Sequence, residues 1–177
     1  MYLSAHDEWK AEIRLRLVEL SDAEFIFNAR QAVSRNQFLS PVNGTEEDQR
    51  NWLKEYFRRF EAGTEYYFII EDRQTTPWGM LRLYHIDNQA KSYVIGSWLL
   101  LPGAPRLAAQ ESMALGYEYG FHKLGLDLCH FEVMLENRKV LRFHHCYAKE
   151  VSRDAKFVYF EFTRDMFEKS IFLQFLI

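Results

Sequence analysis

YVIGSWLLLPGAPRLAAQ, residues 93–110, is the stretch on which the fold turns. A run of β-formers from Tyr93 to Leu101 meets Pro102-Gly103-Ala104-Pro105-Arg106, and an alanine-rich helical pattern opens at once. A strand that ends directly at a helix N-terminus aims unpaired backbone N–H groups and the positive end of the helix dipole at one point, which suits a phosphate. The pattern then recurs: Leu126 to Leu135 predicts another strand, closed by Glu136-Asn137, where a further helix begins. Two neighbouring strand-to-helix junctions of this kind could form the floor and wall of a cleft for a long phosphorylated ligand.

Working outward, Ile13, Leu15 and Leu17 alternate with Arg14, Arg16 and Val18, which predicts a half-buried strand over Ile13 to Glu19. Ser21-Asp22-Ala23-Glu24 signals a helix start, and the stretch from Ser34 to Gly44, with Phe38 in it, reads as a loop. Thr45-Glu46-Glu47-Asp48 caps a second helix, in which Trp52, Leu53, Tyr56 and Phe60 recur at helical spacing until Gly63. Tyr66–Glu71, Trp78–Ile86 and Tyr93–Leu101 predict an antiparallel meander. Leu107 to Leu124 reads as one core-packed helix ended by Gly125, and Lys156 to Thr163 as a final strand after the Asn137 helix.

The order β, α, α, β, β, β, α, β, α and at least one more β predicts an α+β layer sandwich with a mixed sheet. At 177 residues one domain is expected, spanning 13–165, behind a polar lead-in at 1–12. Residues 166–177 end in Ile171-Phe172-Leu173-Gln174-Phe175-Leu176-Ile177, too apolar to hang in water, so this tail is expected to pack on the domain or on a second copy in a homodimer.

A net charge of −3, with the basic residues spread among acids, speaks against a nucleic-acid partner. Cys129 and Cys146 make neither a disulfide framework nor a metal-ligand spacing, so free thiols in a reducing cytoplasm and no metal are expected. Asp7, Glu8, Lys10 and Glu12 interrupt any amino-terminal apolar run, and no segment approaches a membrane span, so neither export nor a membrane partner is expected.

The element order, the Leu101-to-Ala109 junction and the Asn137 helix together resemble the GCN5-related N-acetyltransferase (GNAT) superfamily, over about Ile13 to Thr163. The resemblance implies a three-layer sandwich whose mostly antiparallel twisted sheet carries helices on both faces and is splayed between strands 4 and 5. It also implies acetyl-CoA as cosubstrate and a small-molecule primary amine as acceptor. Trp98, Leu99 and Leu100 would then hold the pantetheine arm, Arg106, Leu107, Ala108 and Ala109 the pyrophosphate, and Asn137, Lys139 and Phe143 the same ligand from the facing helix. The family's phosphate loop is glycine-rich, whereas this chain has Pro105-Arg106-Leu107-Ala108-Ala109-Gln110, in which only the two alanines keep room for close backbone approach.

In that family a tyrosine seven residues after the asparagine often protonates the departing thiolate. Here His144 stands at that spacing and Tyr147 three residues on, and a neutral tyrosine or a protonated histidine is each able to assist a thiol whose reference pKa is about 8.5. Glu71, His85 and Glu111 are the candidate bases for the incoming amine, and a backbone N–H near Trp98 or Leu99 is the candidate oxyanion partner. Phe38, Arg82, Tyr84 and His85 are expected to contact the acceptor. Gly96-Ser97-Trp98 with the turn after it, Ala108 to Ser112 and Asn137-Arg138-Lys139-Val140 look like the branch acting on amino-sugar nucleotides. Acetylation of a protein amino terminus or another small amine is the alternative, and a non-catalytic acyl-CoA-binding module is the alternative from another class.

Overall fold

The computed structural model describes residues 12–32 and 44–176. Seven strands form one mixed sheet in the order β1-β2-β3-β4-β5-β7-β6. β1 (Ile13–Leu17), β2 (Tyr66–Asp72), β3 (Pro77–Asp87) and β4 (Ser92–Leu100) run antiparallel to their neighbours. β5 (Leu128–Met134) lies parallel to β4, and β7 (Phe157–Thr163) pairs antiparallel with both β5 and β6 (Lys149–Arg153).

Strand alternation splits the apolar residues between two layers. Tyr67, Ile69, Met80 and Leu99 face α1 (Ala23–Gln31) and α2 (Glu46–Glu61). Phe68, Ile70, Leu81, Leu83, Tyr93 and Ile95 face α3 (Ala108–Glu118), beside which α4 (Arg138–His145) packs on β5. The caps read in the sequence are formed: Asp48 N–H donates to Thr45 Oγ1, and Val140 N–H donates to Asn137 Oδ1 at 3.4 Å. Of the tail, Phe167 in α5 (Arg164–Glu168) and Phe172 in a final 3-10 turn are buried in the α3-side layer, while Ile171 is 61% exposed.

Two elements depart from expectation. The helix read over Leu107 to Leu124 stays α-helical only to Glu118, and Tyr119–Lys123 widens into a π turn. Gly120 sits in that turn with no side chain, and the Tyr93 ring fills the space, so that a Cβ there would stand 2.2 Å from the ring. β6 is an additional strand between the Asn137 helix and the last one read. Its sequence Lys-Glu-Val-Ser-Arg lies on the sheet edge almost wholly in water, so no apolar alternation marks it.

The feature that shapes the site is the seam between β4 and β5. Only Ser92, Tyr93 and Val94 pair across it, with Leu128, Cys129 and His130, and then the strands part.

Candidate active site

Beyond Val94 the β5-side edge of β4 has no ladder partner, which leaves main-chain groups of Gly96 to Leu100 facing an open wedge. The same segment is bulged. Met80 pairs with Leu99 and Arg82 with Gly96, so β4 carries an extra residue there, and Ser97 takes φ 50° to accommodate it. A left-handed non-glycine residue costs on the order of 1 kcal/mol, and such strain is held only where surrounding structure imposes it. The bulge interrupts the regular β3–β4 ladder next to Trp98.

Trp98 crosses the α3-side layer under this wedge. Its Nε1 donates to Ser112 Oγ on α3 at 3.1 Å, and its ring lies 5.4 Å from Phe143 and 6.0 Å from His144 on α4. The buried Ser112 in turn donates to Ala109 O at 3.3 Å. One indole thus ties the bulge to the helices on both sides of the opening.

His144 is 4% exposed among Trp98, Phe131, Phe143 and Phe160. Burial, helped by the neighbouring His145, lowers its pKa to about 3, so the ring is neutral at physiological pH. Its Nδ1 is in short hydrogen-bond contact with Tyr147 Oη, which is also 3.1 Å from Tyr117 Oη. Burial holds both tyrosines well above the ordinary phenol pKa. The set is satisfied by a relay in either direction; in the one that runs from Tyr117 to Tyr147 to Nδ1, the imidazole proton sits on Nε2. The two residues read as rival acids are therefore one hydrogen-bonded unit, and an imidazolium is not part of it. Tyr117 was not singled out because it falls on the apolar stripe of α3 and reads as core.

At the other junction, α3 begins at Ala108 with Leu107 as N-cap and no side-chain cap. Arg106 is exposed, Leu107 and Ala109 are half-buried and Ala108 is buried, so the first-turn N–H groups are not sealed over by a capping side chain. Asn137 uses its carboxamide oxygen to cap α4, and Lys139 is exposed on that helix. Among the described residues no group of three metal-ligating side chains comes together, and no helix is long and apolar enough to cross a membrane.

The candidate bases are not gathered at the wedge. Glu71 is 2% exposed, with its oxygens held by Arg14 and by Arg16 Nε at 2.8 Å, and Arg16 also grips Asp22 at 2.7 Å. That network joins β1, β2 and the start of α1, with two guanidiniums on the Glu71 carboxylate. Glu111 accepts the backbone N–H groups of Glu12 and Ile13 and so anchors β1. His85 is exposed at φ 51°, its ring 4.8 Å from Tyr84. Phe38 lies outside the described residues.

Arg82 and Tyr84 occupy the α1/α2 side of β3, next to the bulge: Arg82 pairs with Gly96, where a Cβ would stand 3.0 Å from the Tyr84 hydroxyl. Sequence reading missed their companions. Glu65 is buried, with Arg59 Nε at 2.6 Å and Arg82 Nη1 at 3.6 Å, and the Trp52 ring lies 5.0 Å from the Arg59 guanidinium carbon and 5.4 Å from that of Arg82. Glu65 stands alone before a strand, so only its tertiary neighbours reveal it.

Comparison with known proteins places this geometry. The family model "Acetyltransferase (GNAT) domain" matches residues 12–145. No functionally curated protein matches the chain. Among solved structures, apo FdhC, described as a nucleotide-linked sugar GNAT, is 37% identical over 93% of this chain and 94% of its own, with a TM-score of 0.85. Spermidine N-acetyltransferase from Vibrio cholerae in complex with CoA and spermine is 18% identical over 89% of this chain and 98% of its own, with a TM-score of 0.76, a likeness of fold. The chain belongs to the GNAT family and is an acetyl-CoA-dependent N-acetyltransferase.

Proposed function

We propose that the protein transfers the acetyl group of acetyl-CoA to a primary amine on a sugar nucleotide, by direct attack with both substrates bound. The observation that carries this reading is the unpaired, bulged edge of β4 next to the His144 unit, together with the 37% identity to a nucleotide-linked sugar GNAT. Acetyl-CoA, when bound, supplies the thioester. The α3 N-terminus from Arg106 to Ala109 holds the pyrophosphate, and Trp98, Leu99 and Leu100 align the arm along the open edge. Lys139 and Phe143 border it from α4. A backbone N–H at the Ser97–Trp98 bulge is turned to receive charge developing on a carbonyl oxygen.

His144 presents Nε2–H towards the departing sulfur as a neutral hydrogen-bond donor that stabilises the thiolate, which then takes its proton from water. Tyr147, backed by Tyr117, holds it in that tautomer. The incoming amine passes its proton to water, since Glu71 and Glu111 are both committed elsewhere. The acceptor lies over Arg82 and Tyr84 on the α1/α2 side. Arg59 and Arg82 outnumber Glu65 there, which supports an acceptor bearing negative charge over a polyamine.

A thiol-release assay with acetyl-CoA against nucleotide-linked amino sugars, spermidine and a peptide amino terminus tests the proposal. Turnover is expected on the first class. Turnover confined to spermidine or the peptide would reassign the acceptor, and acetyl-CoA binding without turnover on any amine would support a non-catalytic module.

A further inference from the structure

The cluster around Glu65 contains a hydrogen-bond mismatch. Arg82 Nε and Glu65 Oε1 are both buried and make no hydrogen bond among the described residues. They belong to one ion pair, yet its closest approach, 3.6 Å from Arg82 Nη1 to Glu65 Oε1, is too long for a hydrogen bond. Buried donors and acceptors are otherwise almost always satisfied, because leaving one unpaired costs on the order of 1–3 kcal/mol. Neighbouring groups hold the mismatch open. Arg59 takes the other Glu65 oxygen at 2.6 Å, and the Tyr84 ring, 4.4 Å from the Arg82 guanidinium carbon, and the Trp52 ring flank the cation.

The position bears on the chemistry. Arg82 is the cross-strand partner of Gly96, next to the strained Ser97, so the mismatch is built on the strand pair that carries the bulge. The missing group must accept from Arg82 Nε and donate to Glu65 Oε1. A hydroxyl does both with one atom. An ammonium has nothing to offer Arg82 and is repelled by the surplus of arginines, and an ionised phosphate or carboxylate has no proton for Glu65.

We infer that Arg82 and Glu65 form a subsite for a hydroxyl of the acceptor's sugar ring, a choice that rests on the acetyltransferase reading above. The subsite fixes which carbon of the ring presents its amine, and the net positive charge around it favours a ring attached to a diphosphate. Trp52 and Tyr84 are the apolar walls against which the ring lies.

The test uses the full chain and steady-state thiol release with uridine and thymidine diphosphate amino-hexoses, each compared with analogues deoxygenated beside the amine. For the wild type, one deoxy analogue is expected to lose about 10²-fold or more in kcat/KM, because its absent hydroxyl strands two buried groups. In Glu65→Gln and Arg82→Lys that discrimination is expected to shrink to less than about tenfold, while acetyl-CoA affinity, measured by calorimetry, stays unchanged. Equal handling of every deoxy analogue by the wild type overturns the subsite and leaves the sugar-nucleotide reading standing. Acetylation of none of these sugars overturns both. The wild-type comparison requires no variant to fold, so the inference remains falsifiable if either substitution destabilises the protein.

Discussion

Acidification is expected to destabilise this protein through His144, and replacing that residue by glutamine isolates the effect. The folded ring titrates at about 3, whereas an unfolded chain returns it to the ordinary 6.5. A histidine with a depressed folded pKa contributes stability fully above the unfolded value and loses it as pH falls towards the folded one. Between pH 7 and pH 5 the loss amounts to about 2 kcal/mol, because the unfolded ring takes up a proton that the buried one refuses. Urea titrations of wild type and His144→Gln at both pH values give the comparison. Glu111, which burial raises, pushes stability in the opposite direction, but it is present in both proteins and cancels. The wild type should lose about 2 kcal/mol more than the variant. Equal losses would refute the neutral, buried histidine. The same neutrality predicts that turnover shows no ionisation near 6.5 attributable to this residue, since at pH 7 only about one ring in 10⁴ is protonated.

Further outcomes follow from the packing. Tyr147→Phe should lower kcat by about 10²-fold with little change in acetyl-CoA affinity, because it frees the His144 tautomer while leaving the cleft intact; single-turnover kinetics and calorimetry check it. Glu71→Gln should cost about 3 kcal/mol by denaturation, since Arg14 and Arg16 lose their shared buried charge, yet leave kcat per folded molecule unchanged; a large fall in kcat would restore Glu71 as base. Gly120→Ala should destabilise by about 2 kcal/mol or more, because its methyl meets the Tyr93 ring inside a packed layer, and thermal unfolding reads this directly.

What the sequence made legible follows physical lines. Strands such as β1 and β7 carry one buried face and announce themselves by alternation, and the junction after β4 announces itself by Pro102 and Gly103. β6 has no buried face and therefore no pattern. Helical spacing put His144 and Tyr147 near the same face, but whether they compete or cooperate depended on a three-residue contact and on a third partner, Tyr117, disguised as core. Glu71 stands out in the sequence only as an acid at a strand end, and the arginines that hold it lie on β1, more than fifty residues away. The bulge at Ser97 and the mismatch at Glu65 were invisible because both are properties of register and tertiary packing rather than composition.

The three-residue seam between β4 and β5 makes the sheet mechanically two plates, β1-β2-β3-β4 and β5-β7-β6, riveted at one corner. Trp98 and the tail residue Phe172, whose ring lies 5.6 Å from Tyr117 on α3 and 4.6 Å from Tyr147 beyond α4, are among the fasteners that span the gap elsewhere. A ligand lodged along the open edge therefore acts as a second rivet. Its binding should slow amide exchange on both plates at once, most of all in Gly96 to Leu100, and couple occupancy of the cleft to the rigidity of the whole molecule.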